Sequence, residues 1–381
     1  MKYELIIIGA GVWGTSAALA AMRSGLTSVL LVEANAGVAS ESSAKAGGIV
    51  TDLVWHPEDV DWVQRSRQLY QEAYERTRDR SILQRYGMLT LAEPSRRDLL
   101  QKRANGLEDR GIVAELWDIT AIHKEFPELD RVDPETLGLW TPGDFHVNPT
   151  AYAESAVAEA KNQGLSVRLG SRVDRLDLNS SSVSVQIGNE SLQAEKILVT
   201  AGTWSAKLLG QSGFHLPMRP YRVQLSSLDF PQGYHLPMVW ELKTDVYLVP
   251  DGPHNLLAGD GTRLFEHDPD DYQTTGDDEF ESTIAAQVIN LTSKADAAGL
   301  RTSWAGLAGS TPDRRPLIGQ VAKRLFVACG DQGFGVMRGP ALGELGLKVA
   351  LGEAEVPHLN PLRHPGGDFP IRPGFTLEEE L

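Results

Sequence analysis

Residues 1–35 read MKYELIIIGAGVWGTSAALAAMRSGLTSVLLVEAN, and the reading of this stretch decides the fold. The apolar run at 5–8 has the length and composition of a buried parallel strand. It breaks directly into Gly9-Ala10-Gly11-Val12-Trp13-Gly14, and then into a helical stretch over 15–23. A second apolar strand, 29–32, ends on Glu33. Strand, glycine turn, helix, strand and acid, in that order, form the fingerprint of a dinucleotide-binding βαβ unit. Each glycine has its own reason. Gly9 permits the tight turn, Gly11 lets backbone N–H groups approach a pyrophosphate, and Gly14 lets the helix pack on the strand. The helix N-terminus favours an anion through its unpaired N–H groups and its dipole. Glu33 follows the glycines by about 20 residues, where a carboxylate accepts both ribose hydroxyls. An ordinary βαβ turn would share the glycines but not an acid at this spacing. An acid there, with no nearby arginine, disfavours a 2′-phosphate, which leaves NAD or FAD.

At 381 residues the chain has room for two domains or one large one. Apolar content of 41% with 23% charged residues is ordinary for a soluble globular protein. No apolar run approaches the roughly 18 residues of a membrane span. The first apolar run is already a strand followed by its glycine turn, so it does not read as a signal peptide. The single cysteine, Cys329, excludes an internal disulfide and fits a reducing, cytoplasmic compartment. A formal net charge of −15 argues against a nucleic-acid surface, which needs clustered lysine and arginine.

Beyond Glu33 a loop of small residues, 34–48, contains Ser40-Glu41-Ser42-Ser43-Ala44-Lys45-Ala46-Gly47-Gly48. Such a stretch is often a plain connection, but its place just past the ribose acid suits a phosphate or flavin. Periodicity predicts helices over 59–80, 96–110, 150–162, 277–291 and 340–351. Strands are predicted over 83–91, 165–169, 173–178, 196–200, 222–228, 238–242, 246–249, 255–258, 301–307 and 325–328, with a hairpin around Asn179-Ser180-Ser181. Near the C-terminus the opening pattern returns as strand, glycine turn (330–335) and helix. The tail after Pro357, rich in Pro and Gly and ending in acids, reads as a solvated extension without a site of its own. The organisation is interleaved: an α/β nucleotide domain from 1–50, 148–217 and 306–357, a substrate domain from 51–147 and 218–305, and the extension 358–381.

Four separated pieces carry a resemblance: IIIGAGVWGTSAALAAMRSG with VLLVEAN; SSAKAGGI at 42–49; ILVTAGTWSAKLL at 197–209; and SWAGLAGSTPDRRPLIG followed by LFVACGDQGFGVMRGPALGE. They span the whole chain, in order, and resemble the FAD-dependent D-amino acid oxidase superfamily. The branch is that of glycine oxidase, the sarcosine oxidase β-subunit, and the dimethylglycine and proline dehydrogenases. The resemblance implies a Rossmann-like FAD-binding domain with an interleaved antiparallel β-sheet substrate domain. It implies that Gly9, Gly11, Val12, Trp13 and Gly14 hold the FAD pyrophosphate, with Glu33 and Ala34 at the adenosine ribose. Ser42, Ser43, Lys45, Ala46, Gly47 and Gly48 would follow the ribityl path to the flavin edge. Val173 would meet the adenine, with Ala201, Gly202 and Trp204 nearby. Gly306 would lie at the flavin, as would Gly333, Phe334, Gly335, Val336 and Met337, whose helix N-terminus would stabilise the reduced ring.

The chain also departs from its relatives. Glycine oxidases carry a carboxylate-clamping arginine in the segment matching 305–308; here the residue is Ala308. The cysteine that tethers flavin in monomeric sarcosine oxidases is matched by Gly306, so the resemblance implies non-covalent FAD, and Cys329 reads as a small buried residue. Their oxygen-activating lysine corresponds to Leu257, and a second substrate lysine to Met337. The remaining substrate-site candidates are Arg222, Arg338, Tyr247 and His56, each of which also has a plainer structural reading as an ion-pair, core or loop residue. No cluster with metal-ligand spacing stands out.

Together these readings imply hydride transfer from the α C–H of a small amine or secondary amino acid to flavin N5, with O₂ or another acceptor taking the electrons. Such chemistry relies on positioning and a neutral amine more than on an acid–base dyad. A hydroxy-acid dehydrogenase on the same fold, a flavin-bound assembly subunit without turnover, and one subunit of a larger complex or homo-oligomer are the other readings.

Overall fold

The computed structural model describes residues 2–54, 56–178 and 183–364. Its first sheet grows from the opening strand. Lys2–Ile8 pairs in parallel with Val29–Val32 on one side and with Glu190–Val199 on the other. The full order is Leu317–Ala322, Leu325–Cys329, Glu190–Val199, Lys2–Ile8, Val29–Val32 and Ser166–Arg168. All neighbours are parallel except the first pair. Arg175–Leu178 and Val183–Ile187 add an antiparallel arm to Glu190–Val199, and the turn expected at 179–181 lies outside the described residues.

Alternation along the strands divides the core in two. Leu5, Ile7, Leu31, Leu198 and Ala328 face helices Val12–Arg23, Pro57–Thr77, Pro149–Asn162 and Gly335–Leu351. Ile6, Ile8, Leu30, Val32, Ile197 and Val199 face the other way, toward Leu208 and Leu209 of helix Trp204–Gln211.

The second sheet takes strands from two stretches of chain. Its order is Leu264–Phe265, Arg219–Asp229, Asn255–Gly259, Tyr247–Pro250, Met238–Glu241, Met88–Ala92, Leu137–Thr141 and Glu115–Trp117, with Gly299–Ser310 on the far edge of Arg219–Asp229. Pairing is antiparallel except where the two stretches meet, between Met238–Glu241 and Met88–Ala92. One face buries Leu89, Val239, Leu248 and Leu256 with helix Asp278–Leu291. Met88, Leu225, Trp240 and Leu257 lie on the other.

Several boundaries differ from the sequence expectation, each for a tertiary reason. The last helix begins at Gly335, not at 340, and contains Pro340. Proline removes the N–H that the Val336 carbonyl would accept. The Tyr70 hydroxyl donates to that carbonyl instead, at 2.9 Å. The strand expected over 83–91 is confined to Met88–Ala92, because Gln84 makes an isolated bridge with His146. Strand Gly299–Ser310 stays in register beyond residue 306, so the chain leaves the second sheet only after Ser310. The tail is not wholly solvated: Leu359 is buried and Arg363 makes paired bonds to Asp313 at 2.7 Å. Residues 365–381 lie outside the described part.

Candidate active site

The carboxyl ends of the parallel strands are where an open α/β sheet binds its ligand. Here those ends face the second sheet across a cavity of about 800 Å³, within the range that holds a cofactor with a substrate. At one end lie Glu33, Ala34, Val173, Ala201, Gly202 and Trp204. The middle is formed by Gly9, Gly11, Val12 and Trp13 with the loop 42–48. The inner end is closed by Tyr247, Gly306 and 333–337.

Local geometry explains the glycines. Gly9 has φ +99°, and a Cβ there would fall 2.7 Å from Ala201 Cα. Gly14 is not a lining residue; its Cβ would fall 1.8 Å from the Gly9 carbonyl oxygen, so it sets the helix on the strand. Gly11, by contrast, has only Ser43 Oγ near its Cβ position, at 3.3 Å, and faces the cavity. The Glu33 carboxylate accepts the Ala10 N–H at 2.7 Å and the Asn35 N–H at 2.8 Å. It therefore ties the turn to the end of its own strand. Each carboxylate oxygen retains a further lone pair for a ligand hydroxyl.

The loop 42–48 is anchored at both ends. Ser43 Oγ accepts the Val12 N–H at 3.2 Å. Lys45 pairs with Glu41 at 2.7 Å and donates to the Tyr272 hydroxyl at 2.7 Å, while its carbonyl accepts from Trp304 Nε1 at 2.9 Å. Burial pulls on the Lys45 ammonium, but the bonds to Glu41 and Tyr272 outweigh it and hold the group above its usual range. At Gly306 a Cβ would lie 2.9 Å from Lys45 Cβ. Absence of a side chain there lets the second sheet close on the loop.

A segment the sequence reading missed crosses the outer end of the cavity. Pro269, Asp270, Tyr272 and Thr274 line it. Asp270 accepts from Trp204 Nε1 at 2.8 Å and pairs with Lys207 at 2.7 Å and Arg172 at 3.1 Å; Asp268 also pairs with Lys207, at 2.6 Å. The hydrogen bonds it donates to Asp268 and Asp270 raise the Lys207 ammonium above its usual range. The run Asp268-Pro269-Asp270-Asp271 was the available signal, but an acidic run by itself reads as solvated surface.

Tyr247 stands in the inner wall. Its Cε2 lies 3.4 Å from the Cβ position of Gly47, and its hydroxyl 2.3 Å from that of Gly259. Burial raises its phenol well above the tyrosine range.

The three other substrate candidates have partners away from the cavity. Arg222 alternates with Tyr221 and Val223, which line the cavity, and so points to the opposite side of its strand. There its Nη2 lies 2.9 Å from Asp277 and its Nε 3.4 Å from Glu266. Arg338 sits on the inner face of the last helix, wholly buried, with Nη1 2.7 Å from an equally buried Asp59 and Nη2 2.8 Å from the Asp331 carbonyl. His56 precedes helix Pro57–Thr77, with Nδ1 3.4 Å from Arg315, and is not a lining residue of the cavity.

Beside the cavity Arg67 bridges two buried carboxylates, Asp52 at 2.8 Å and Asp144. Thr51, a lining residue, donates to Asp144 at 2.7 Å. Burial pushes the Asp52 carboxyl up to about 6 against the pull of Arg67. Cys329 ends its strand buried, its thiol pushed up to about 12 by burial. Among the described residues no group of acids, histidines or cysteines could hold a metal ion. Among them, too, no helix is long and apolar enough to cross a membrane.

Comparison with known proteins gives the family and the fold. The family model for FAD dependent oxidoreductases (DAO) matches residues 4–346. The chain is 25% identical over 374 residues to the uncharacterized oxidoreductase YurR of Bacillus subtilis, covering 93% of this chain and 97% of that one. It is 28% identical over 227 residues to N-methyl-L-tryptophan oxidase of Escherichia coli, 58% of each chain. In fold it is similar to L-proline dehydrogenase from P. horikoshii, with a TM-score of 0.86 at 20% identity, over 97% of this chain and 99% of that one. Glycine oxidase from Geobacillus kaustophilus gives 0.84 at 21% identity, over 96% and 100%.

Proposed function

We propose that this chain, which belongs to the FAD dependent oxidoreductase family, oxidises the C–N bond of a small amine or secondary amino acid with non-covalently held FAD. The observation that carries the reading is the cavity between the two sheets. It joins the glycine turn, Glu33, the loop 42–48 and the start of the last helix beneath the tyrosine and apolar face of the second sheet. FAD, when bound, supplies the hydride acceptor for a C–H next to nitrogen, and water hydrolyses the resulting imine.

The chain's own residues bind, orient and exclude water. Glu33 would hold the ribose hydroxyls, and Gly11, Val12 and Trp13 would face the pyrophosphate. Val173, Ala201, Gly202 and Trp204 would enclose the adenosine end, under the Asp270 segment. Ser42, Ser43, Lys45, Ala46, Gly47 and Gly48 would follow the ribityl chain. Gly333 to Met337 would lie along the ring system, where the helix N-terminus favours negative charge. Tyr247 would pack against the substrate and exclude water from the reacting carbon. The thiol of Cys329 is buried and protonated, and Gly306 offers no side chain, which favours non-covalent attachment.

The test is an anaerobic titration of FAD-loaded protein with amines, secondary amino acids and hydroxy acids. Bleaching of the visible flavin band by amines, with ammonia or an alkylamine released, is the expected result. Bleaching by hydroxy acids alone would replace this reading, and bleaching by none would favour an assembly role. Acid precipitation should release all flavin into the supernatant. The electron acceptor, O₂ or another, and any partner subunit or second copy follow from reoxidation and mass measurements on the same sample.

A further inference from the structure

The face of the second sheet that closes the cavity is apolar across five successive strands. Val223 and Leu225 on Arg219–Asp229, Tyr247 on Tyr247–Pro250, Trp240 on Met238–Glu241 and Met88 on Met88–Ala92 all line it. Leu257, on the intervening strand Asn255–Gly259, belongs to the same apolar cluster. At about 4.8 Å per strand such a wall is roughly 19 Å wide, far more than a methyl group covers. Val223 and Tyr247 are only half-buried, so the wall presents surface to a ligand. Tyr247 Cε2 and Leu225 Cδ1 lie 3.4 and 3.9 Å from the Cβ position of Gly47, which sets the wall against the loop 42–48.

Charge is distributed in the opposite sense. Gly306 and Ala308, opposite Val223 and Tyr221 on the neighbouring strand, contribute no polar side chain. Among the described residues that line the cavity three are cations, and each is held by an acid. Lys45 Nζ is 2.7 Å from Glu41 and turned toward Tyr272 of the outer segment. Lys207 lies 2.6 Å from Asp268, and Arg172 lies 3.1 Å from Asp270, both at the outer end. Arg222 and Arg338 are paired with Asp277 and Asp59, away from the cavity.

The ionisable side chains of the inner end are acids. Asp245 stands two residues before Tyr247 and lines the cavity. Asp331 lies against the start of the last helix, its Oδ2 3.3 Å from the Cβ position of Gly335. A substrate carboxylate brought to this end would lose its hydration and meet no cation in return, which is costly. An apolar group would leave water for an apolar surface, which is favourable.

We infer that the substrate is an amine that carries a ring-sized apolar group and no carboxylate, the group lying on the wall of Met88, Val223, Leu225, Trp240 and Tyr247. The charge of the inner end selects against an amino acid, and the width of the wall selects against the smallest amines. Specificity here is set by the second sheet, with an apolar surface where a cation would be needed to clamp an acid.

The inference rests on the reading of the cavity as an amine-oxidising FAD site, and its test separates the two. FAD-loaded protein is titrated anaerobically with N-methylphenethylamine and N-methylphenylalanine, which differ by one carboxylate, and with dimethylamine, which lacks the ring. It is also titrated with phenylacetamide and phenylacetate, neither of which offers an oxidisable amine, and binding is read from the flavin spectrum. N-methylphenethylamine should half-bleach the flavin at a concentration on the order of 100-fold below N-methylphenylalanine and about 10-fold below dimethylamine. Phenylacetamide should bind on the order of 100-fold more tightly than phenylacetate. Equal or tighter binding of the carboxylates, dimethylamine as effective as the aryl amine, or no spectral response to phenylacetamide would each overturn the inference. If no amine bleaches the flavin while phenylacetamide still binds in preference to phenylacetate, the amine-oxidation reading fails and the selectivity of the wall stands. Val223→Lys sets an ammonium in the wall, opposite Gly306, and should close the gap between phenylacetate and phenylacetamide. An unchanged gap in a variant that holds FAD would overturn the assignment to this wall; should the variant not hold FAD, the wild-type comparison decides.

Discussion

Arg338→Met should be a stability variant, with no direct effect on substrate binding. Arg338 and Asp59 are both 0% exposed, their atoms 2.7 Å apart, and Arg338 also donates to the Asp331 carbonyl at 2.8 Å. Methionine has similar length but leaves the Asp59 carboxylate buried without a counter-charge. Removing one partner of such a pair costs about 3–5 kcal/mol. Against a typical total of about 5–15 kcal/mol, this is a large fraction of the stability. Asp59→Asn in the same chain removes the stranded charge, so the double variant should be less destabilised than the sum of the singles, by about 1–3 kcal/mol. The assay is urea unfolding of FAD-loaded protein for wild type, both singles and the double. In parallel, KM is measured for an acidic and a neutral amine. Arg338→Met should lower the unfolding midpoint and leave the ratio of the two KM values unchanged. A variant within about 1 kcal/mol of wild type, with KM raised for the acid alone, would show that the guanidinium reaches the substrate and that the buried pair has been misread.

Further outcomes are expected on the same reasoning. Glu33→Ala should weaken FAD binding by about 1.5–3 kcal/mol, through loss of charge-assisted bonds, as read by equilibrium dialysis; unchanged affinity would refute the fingerprint. Asp270→Ala should speed FAD release severalfold and abolish its salt dependence in stopped-flow fluorescence, because exposed ion pairs contribute about 0–1 kcal/mol each and are screened. Asp52, raised to about 6 in the fold from about 3.9 unfolded, confers stability that is complete below about pH 4 and is lost as pH rises through 6. Asp52→Asn should therefore flatten the fall in unfolding free energy between pH 4 and 7 by up to about 3 kcal/mol. With Leu257 where monomeric sarcosine oxidases carry their oxygen-activating lysine, reoxidation by air should be slow and dye reduction faster. Rapid stoichiometric peroxide would point to another activating group.

Much of the fold was legible because its signals are local. The apolar runs at 5–8 and 29–32, the glycine turn between them and Glu33 are set by backbone sterics and strand burial within one stretch of chain. They became adjacent parallel strands in register Leu5 to Val29. The same holds for the second glycine turn, although its helix starts at Gly335 and runs through Pro340, because Tyr70 on a distant helix satisfies the Val336 carbonyl. No window around 340 contains that donor.

The direction in which a long side chain points was not legible. Arg222 and Arg338 each stand next to the cavity in sequence, and both turn away from it. Strand alternation aims Arg222 at Asp277, and a buried acid 279 residues distant claims Arg338. The Asp270 segment escaped notice for the converse reason. Its role depends on Trp204 and Lys207, partners that only the docking of one sheet on the other brings near. The sequence by itself determined the dinucleotide-binding unit, its acid and the family, since these rest on short-range spacing and backbone conformation. Tertiary structure alone decided which charges face the cavity, because a charge enters a low-dielectric site only where nothing else in the fold neutralises it first.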